Sequence, residues 1–193
     1  MLSSLRQRKF APVTLALAAA IAASGAVWGG RVPEALRKAP PLLITEPSGT
    51  ETQLSKFQGK VVVVEFLFVR SPHCLQLAAL LNRLNTELGP RGFQPVAVAF
   101  GPYADAPVLT RLVDSLKLAY PVGYTTSDKV DAYLGRTGHE MLKIPQMVVL
   151  DRSGAVRART GTRGDPRLES EPQLRAMVQA LLAERGAGAA ARR

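Results

Sequence analysis

Cysteine is almost absent from this chain of 193 residues, because Cys74 is the only one. One thiol cannot form a disulfide within its own chain, and it cannot build a zinc site from several cysteines. Histidine is also scarce, with two residues in the chain. We therefore predict no metal site and no cofactor. Any thiol chemistry within one molecule depends on Cys74 alone.

Acidic residues are also few, with 15 Asp and Glu against 25 Lys and Arg, so the net charge is +10. Part of this charge lies in the N-terminal segment and in the C-terminal tail, at Arg6, Arg8, Lys9, Arg192 and Arg193. The remainder is scattered and forms no basic stripe interleaved with aromatic residues, which a nucleic-acid surface would require. We predict no nucleic-acid partner and interpret the charge as a mild attraction to anionic membrane surfaces.

The N-terminus has the pattern of an export signal. Basic residues at 6–9 precede an Ala-rich apolar run at 13–23, and the small residues at 24–26 resemble a cleavage site. The wider run at 10–30 has about 20 residues, enough to span a bilayer. Residues 1–30 are therefore interpreted as a cleaved signal peptide or a retained membrane anchor. Both alternatives predict the bacterial cell envelope, on the periplasmic or extracytoplasmic side.

The rest of the chain divides into a Pro-rich linker at 31–41, one domain at 42–185 and a flexible basic tail at 186–193. The predicted elements of the domain, in chain order, are a hairpin at 42–54, a buried strand at 61–68, a helix at 71–88, a strand at 95–100, a helix at 108–118, a strand at 122–125, a helix at 129–134, strands at 147–150 and 155–160, and a last helix. The last helix begins at Ser170, which forms a capping box with Gln173. Strands and helices alternate before a closing hairpin, which predicts an α/β sandwich with a mixed central sheet flanked by helices and an N-terminal hairpin extension.

Three segments, at 56–66, 71–74 and 144–154, resemble a known family in their order and spacing. They are similar to the thioredoxin-like proteins of the TlpA/ResA type, which are membrane-tethered or periplasmic thiol–disulfide oxidoreductases. The resemblance covers residues 42–184 and implies a thioredoxin-like fold. It also implies, as partners, cysteine-containing or extended segments of envelope proteins and an upstream redox protein.

The redox motif of that family is incomplete in this chain. The family has Trp-Cys-x-x-Cys at the start of a helix, whereas here Arg70 replaces the tryptophan and Ser71 replaces the first, attacking cysteine. Cys74 matches the second, resolving thiol. Disulfide exchange needs an attacking thiolate and then a second thiol to resolve the mixed disulfide. A dithiol cycle within one molecule is excluded, and Ser71 is best interpreted as a helix N-cap. We call the turn from Ser71 to Cys74 the half-site.

Glu65 interrupts the apolar strand predicted at 61–68, where burial of an ionised acid is costly. The resemblance implies a buried acid beneath Cys74 with a raised pKa, acting as a general base for the thiol. The alternative is an edge glutamate paired with Lys60 or an arginine.

His73 has two interpretations at the half-site, and a metal site would join it to His139. Beside an attacking thiolate, His73 would stabilise the charged sulfur, but with Ser71 in that place a solvated loop histidine is the alternative. A copper site from His73, Cys74 and His139 fits the ligand chemistry, although these residues are dispersed along the chain.

The resemblance also implies a groove for an extended peptide. The family has a cis-proline at the position of Pro145, which faces the cysteines and presents the preceding backbone, here Ile144, to the substrate. We therefore predict that Pro145, Ile144 and His73 contact the bound segment. The alternative for Pro145 is an ordinary trans proline at the start of an edge strand.

Three functions are compatible with these residues. The first is a thiol-redox or redox-derived role that uses a single cysteine and the proline groove, with Cys74, Ser71 and Glu65 as the site. The second is a one-cysteine peroxidase resembling peroxiredoxins, whose Pro-x-x-x-Thr-x-x-Cys pattern is matched by Ser71 but not by Leu67, and whose arginine position falls at Pro145. The third is a non-catalytic peptide-binding or assembly module.

Overall fold

The computed structural model describes residues 37–137 and 141–184, in which seven strands form one mixed sheet. The strands are β1 (Leu43–Thr45), β2 (Glu51–Gln53), β3 (Val61–Leu67), β4 (Phe93–Ala99), β5 (Val122–Tyr124), β6 (Gln146–Leu150) and β7 (Val156–Arg159). Their order across the sheet is β2-β1-β5-β4-β3-β6-β7. β3 is parallel to β4 and antiparallel to β6, so it is an interior strand with all of its residues buried.

Five α-helices surround the sheet: α1 (Pro72–Leu88), α2 (Ala106–Leu116), α3 (Ser127–Leu134), α4 (Pro166–Glu169) and α5 (Glu171–Ala183). The first four begin after a residue whose side-chain oxygen accepts a hydrogen bond from a backbone N–H of the first turn, and these residues are Ser71, Asp105, Thr126 and Asp165. Such caps satisfy donors that the helix itself leaves unpaired. The sequence thus specifies where each of these helices begins.

Two apolar layers cover the faces of the sheet. The first layer joins β3 to α1, α2 and α5, and the second joins β3 to α3 and the N-terminal hairpin. Alternate side chains of a strand point to opposite faces. Accordingly, β3 contributes Val61, Val63 and Leu67 to the first layer and Val62, Val64 and Phe66 to the second. Glu65 has the register of the first layer, which also contains Cys74.

The predicted α/β fold is confirmed, including the N-terminal hairpin, in which β1 pairs antiparallel with β2 and extends the sheet through β5. One local prediction is wrong, because the side chain of Ser170 makes no capping hydrogen bond. Ser170 both ends α4 and begins α5 in extended backbone geometry. The helix α4 was not predicted, since four residues are too few to show a helical period.

The first described residues pair with the β6–β7 hairpin. Ala39 donates its backbone N–H to the carbonyl of Gly154 at 2.9 Å, and Val156 donates to the carbonyl of Arg37 at 3.1 Å. Within the described part of the chain, no helix has both the length and the hydrophobicity to cross a membrane. The predicted leader, most of the predicted linker, the basic tail and His139 lie outside the described residues.

Candidate functional site

Three segments meet at one edge of the sheet, namely the edge at which β3 and β4 end and β6 begins. In the parallel pair, Leu67 at the end of β3 is opposite Ala99 at the end of β4. In the antiparallel pair, Phe66 is opposite Gln146 at the start of β6. The chain therefore leaves β3 towards the half-site, leaves β4 towards the loop at 100–103, and enters β6 from Pro145, all at the same edge.

Ser71 caps helix α1. Its backbone is extended, and its hydroxyl accepts a hydrogen bond from the N–H of Cys74 at 3.4 Å. Pro72 follows in the first turn, where its fixed φ and its missing N–H suit a helix start. The hydroxyl of Ser71 is thus placed as a cap, and the described residues place no base on it that would activate it as a nucleophile.

Cys74 is completely buried one turn into α1. Burial raises the pKa of its thiol to about 11, and the hydrogen bond with Ser71 offsets only part of this effect. A buried, protonated thiol is a poor nucleophile, since the thiolate is the reactive form. The helix start therefore does not activate Cys74.

Glu65 is completely buried on the interior strand β3. Burial raises the pKa of its carboxyl well above the ordinary value, and its charge contributes to the raised pKa values of Cys74 and Tyr120. Neither carboxyl oxygen has a hydrogen-bond partner among the described residues. The edge-glutamate alternative is wrong, because β3 is internal and Lys60 instead donates to Gln94 at 2.9 Å.

The segment before β6 is held in place by a buried polar network. Gln146 donates its side-chain amide to the carbonyls of Lys143 at 2.7 Å and Gly161 at 3.0 Å. Its side-chain oxygen accepts a hydrogen bond from the hydroxyl of Thr160 at 2.7 Å, and that hydroxyl accepts one from the N–H of Met147 at 3.0 Å. This network was missed from the sequence, where the only signal was a polar residue at the start of an apolar strand.

The network fixes a proline with a cis peptide bond, between Ile144 and Pro145. Pro145 is buried, and Ile144 is half-buried between the two apolar layers. The backbone N–H and carbonyl of Ile144 make no hydrogen bond within the described residues. These two groups are therefore free to pair with an extended segment from outside.

His73 is exposed on the first turn of α1, whereas Cys74 in the next position is buried. The two side chains therefore have opposite environments. Within 37–137 and 141–184, no group of three or more His, Cys, Asp or Glu side chains is placed to hold a metal ion.

An aromatic surface flanks the half-site, and we call Phe68, Arg70 and Tyr103 the platform. Phe68 is 40% exposed and Tyr103 is 52% exposed. The Arg70 guanidinium carbon lies 3.6 Å from the centroid of the Tyr103 ring. The ring of Phe68 packs against that of Phe100, with centroids 4.8 Å apart. The sequence signal for this loop was the Gly101-Pro102 pair that follows Phe100.

Solved structures share this architecture. A thiol:disulfide interchange protein of the thioredoxin family from Chlorobium tepidum TLS is 21% identical, over 77% of this chain and 97% of that chain, with a TM-score of 0.63. The thioredoxin domain of a thiol-disulfide oxidoreductase from Bacteroides vulgatus is 18% identical, over 74% and 96%, with a TM-score of 0.58. A thiol:disulfide interchange protein from Bacteroides sp. is 17% identical, over 81% and 94%, with a TM-score of 0.58. The fold is therefore thioredoxin-like.

The family follows from the sequence itself. The profile of the Redoxin family matches residues 29–178, which is most of the chain. The chain therefore belongs to the Redoxin family. A comparison with curated proteins gave no significant match. The predicted family and fold are confirmed, while the roles of the half-site residues stay predictions.

Proposed function

We propose that this protein is a docking module of the bacterial envelope, which binds extended protein segments and does not exchange disulfides at neutral pH. The observation that carries this proposal is the environment of Cys74. With the thiol buried and its pKa raised to about 11, on the order of one molecule in ten thousand holds a thiolate at pH 7. Ser71 supplies no second sulfur. We therefore propose that the protein has the fold of a thiol–disulfide oxidoreductase but does not carry out thiol–disulfide exchange.

The docking half of the proposal is supported by Ile144. Its backbone N–H and carbonyl, which make no hydrogen bond to any described residue, lie at the sheet edge next to the half-site. An extended segment can pair with such groups as an added strand, and main-chain hydrogen bonds then supply affinity with little dependence on sequence. The buried network of Gln146 and Thr160 holds this backbone in place, which reduces the entropy lost on binding.

The envelope location is supported by the leader alone, where a basic segment, an apolar run and small residues follow one another. Export or tethering would expose the sheet edge that carries Ile144, which we call the docking edge, to proteins outside the cytoplasm. The partners would then be extended or cysteine-containing segments of envelope proteins.

A slow thiol-redox role is the second candidate, favoured by Glu65. A buried carboxyl that has no hydrogen-bond partner among the described residues, in the same layer as Cys74, is the arrangement expected of a proton acceptor for the thiol. The peroxidase alternative has less support, because a peroxidatic cysteine must be an accessible thiolate and Cys74 is neither accessible nor acidic.

The proposal is tested on the purified protein in two measurements. At neutral pH, Cys74 should react with a disulfide reagent many times more slowly in the folded protein than in denaturant, and insulin reduction with dithiothreitol should not be catalysed. Fast labelling of the folded protein or multiple turnovers would favour the redox candidate.

The second measurement is binding of an alkylated, unfolded insulin B chain, followed by NMR. Amide signals of Ile144 and Arg70 should shift, while those of Gly59 and Gly92 at the opposite sheet edge should not. Shifts spread evenly over the domain, or none at all, would contradict docking at this edge.

A further inference from the structure

The guanidinium of Arg70 is exposed beside the half-site, and no acidic side chain of the described residues pairs with it. Within the described residues, its one interaction is with the face of the Tyr103 ring, at 3.6 Å. Stacking on a ring leaves the in-plane N–H groups of a guanidinium open for hydrogen bonds. Arg70 therefore presents unused donors in a fixed fork, a geometry that matches a carboxylate.

The ring beneath Arg70 is held by unusual backbone. Tyr103 has a φ of 73°, in the left-handed region that bulky side chains rarely adopt. Such outliers cluster at sites of function, and an observed outlier is grounds for a functional hypothesis. The loop holds Tyr103 in this conformation and leaves the ring half exposed against Arg70.

The loop that carries Tyr103 is packed tightly against Phe68. A Cβ at Gly101 would lie 3.0 Å from the Phe68 ring, and the φ of Gly101 is +76°. The positive φ favours glycine at this position, and any side chain there would press against the Phe68 ring. The platform is thus a built surface of two aromatic rings and one cation rather than a chance exposure of single side chains.

The charge of Arg70 favours an anionic partner. Arg70 is exposed just before the start of α1. The carboxylate of Asp105, the acid that follows Tyr103 in the loop, accepts the hydrogen bond from Val108 that caps α2 at 2.8 Å. No described carboxylate lies within ion-pair distance of Arg70, so the charge of its guanidinium is available to a ligand.

We propose that Arg70, stacked on Tyr103, is a specificity site for a carboxylate on the docked protein segment. The carboxylate is that of an Asp or Glu side chain or the C-terminus of the segment. This inference rests on the proposed docking function, since Arg70 directly precedes Ser71 and lies at the same sheet edge as Ile144.

The test is selection from random octapeptides with both ends blocked, using the full-length protein at low ionic strength. The bound pool should be enriched in Asp and Glu by about threefold at one position, as expected of an exposed charge-assisted pair. Arg70→Gln should abolish this enrichment. Arg91→Gln is the matched control, because it removes the same charge next to Gly92, at the opposite sheet edge, and it should leave the enrichment unchanged.

A second library with free C-termini distinguishes the two sources of the carboxylate. If the C-terminus is the ligand, peptides from this library should be retained without enrichment of Asp or Glu, and Arg70→Gln should release them. A second variant, Tyr103→Gly, keeps the charge and suits the left-handed backbone. It should fold and enrich acidic peptides less strongly than the wild type. Enrichment equal to that of the wild type would show that Tyr103 does not contribute to the site.

The outcomes separate the two proposals. Bound peptides without acid preference, or a preference that survives Arg70→Gln, would overturn this inference and leave docking intact. No enrichment of any peptide by the wild-type protein would overturn both. Binding to phosphatidylglycerol vesicles that falls with Arg70→Gln but not with Arg91→Gln would assign the platform to the membrane instead. Self-association that only Arg70→Gln abolishes would assign it to a second copy of this chain.

Discussion

Glu65 and Cys74 lie in the same apolar layer on packed elements, β3 and α1, and the charge of Glu65 contributes to the raised pKa of Cys74. Burial raises both pKa values, so each group favours its neutral form. Two acids that disfavour each other's ionisation titrate as a coupled pair. Changes at Glu65 should therefore be visible in the titration of Cys74.

Glu65→Gln should lower the apparent pKa of Cys74, because it removes the neighbouring negative charge while keeping the side-chain shape. The ultraviolet absorbance of the thiolate as a function of pH measures this equilibrium once the absorbance of a matching Cys74→Ser protein, which shows tyrosine ionisation alone, has been subtracted. The rate of alkylation at neutral pH supplies the contrasting result. If the variant reacts more slowly than the wild type, Glu65 acts as the general base and the thiol-redox candidate gains support.

Glu65 should also make stability depend on pH. Its pKa in the folded state is raised above the ordinary value of 4.5, so the folded protein retains a proton that the unfolded chain has lost. The free energy of unfolding should fall as pH rises from about 4.5 through the native pKa, by at most about 1.4 kcal/mol per pH unit. Denaturant titrations should show this loss in the wild type and not in Glu65→Gln. Parallel pH profiles for the two proteins would mean that the folded-state pKa is not raised.

Ser71→Cys should restore a dithiol. Residues three apart at a helix start lie on the same face, within the span of roughly 4.4–6.8 Å between Cα atoms that a disulfide bridges. The new thiol lies at a helix N-terminus, where its pKa should fall below the free value of about 8.5. Mild oxidation should then form a bridge to Cys74, and insulin reduction with dithiothreitol should appear.

The control for this experiment is Ser71→Cys combined with Cys74→Ala, which has the new thiol but no resolving partner. It should form mixed disulfides without turnover. A folded single variant that never closes the bridge would show that Ser71 and Cys74 do not form a thioredoxin-type site.

Gln146→Leu should weaken both stability and docking. The substitution keeps the side-chain size but removes the hydrogen bonds to Lys143, Gly161 and Thr160. Loss of a buried network of this kind costs about 2–3 kcal/mol. Urea unfolding measures the loss, and Gln94→Leu on β4 is a comparison variant outside the docking edge. Equal peptide binding by Gln146→Leu and the wild type would show that the network does not position Ile144.

The leader is tested by fusing residues 1–41 to a reporter that is active only outside the cytoplasm. The basic and apolar segments should direct its export, so the fusion should be active. Replacing Arg6, Arg8 and Lys9 with Gln should reduce the activity, because these charges orient the leader in the membrane. A silent fusion that accumulates in the cytoplasm would contradict the envelope location.

Much of the fold could be predicted because it depends on local patterns. The apolar run of β3 and the Ser-Pro start of α1 are each contained in a short stretch of sequence. The partners of Gln146 and Arg70 could not be predicted, since Thr160 and Tyr103 come from other segments and periodicity does not indicate which side chains meet. Glu65 lies between these cases. Its position in an apolar run suggested burial, but only the structure shows that its carboxyl has no hydrogen-bond partner among the described residues.

The capping role of Ser71 bears on how such a protein can arise. Serine is among the best N-cap residues. The hydroxyl of Ser71 accepts a hydrogen bond from the N–H of Cys74 at the start of α1. An exchange of cysteine for serine at this position therefore abolishes redox turnover while supporting the helix. Selection for folding alone would keep the serine, and only selection for electron transfer would oppose it. A lineage released from that second pressure could retain the whole scaffold, and the surface beside the former reaction centre would then be free to diverge toward new partners.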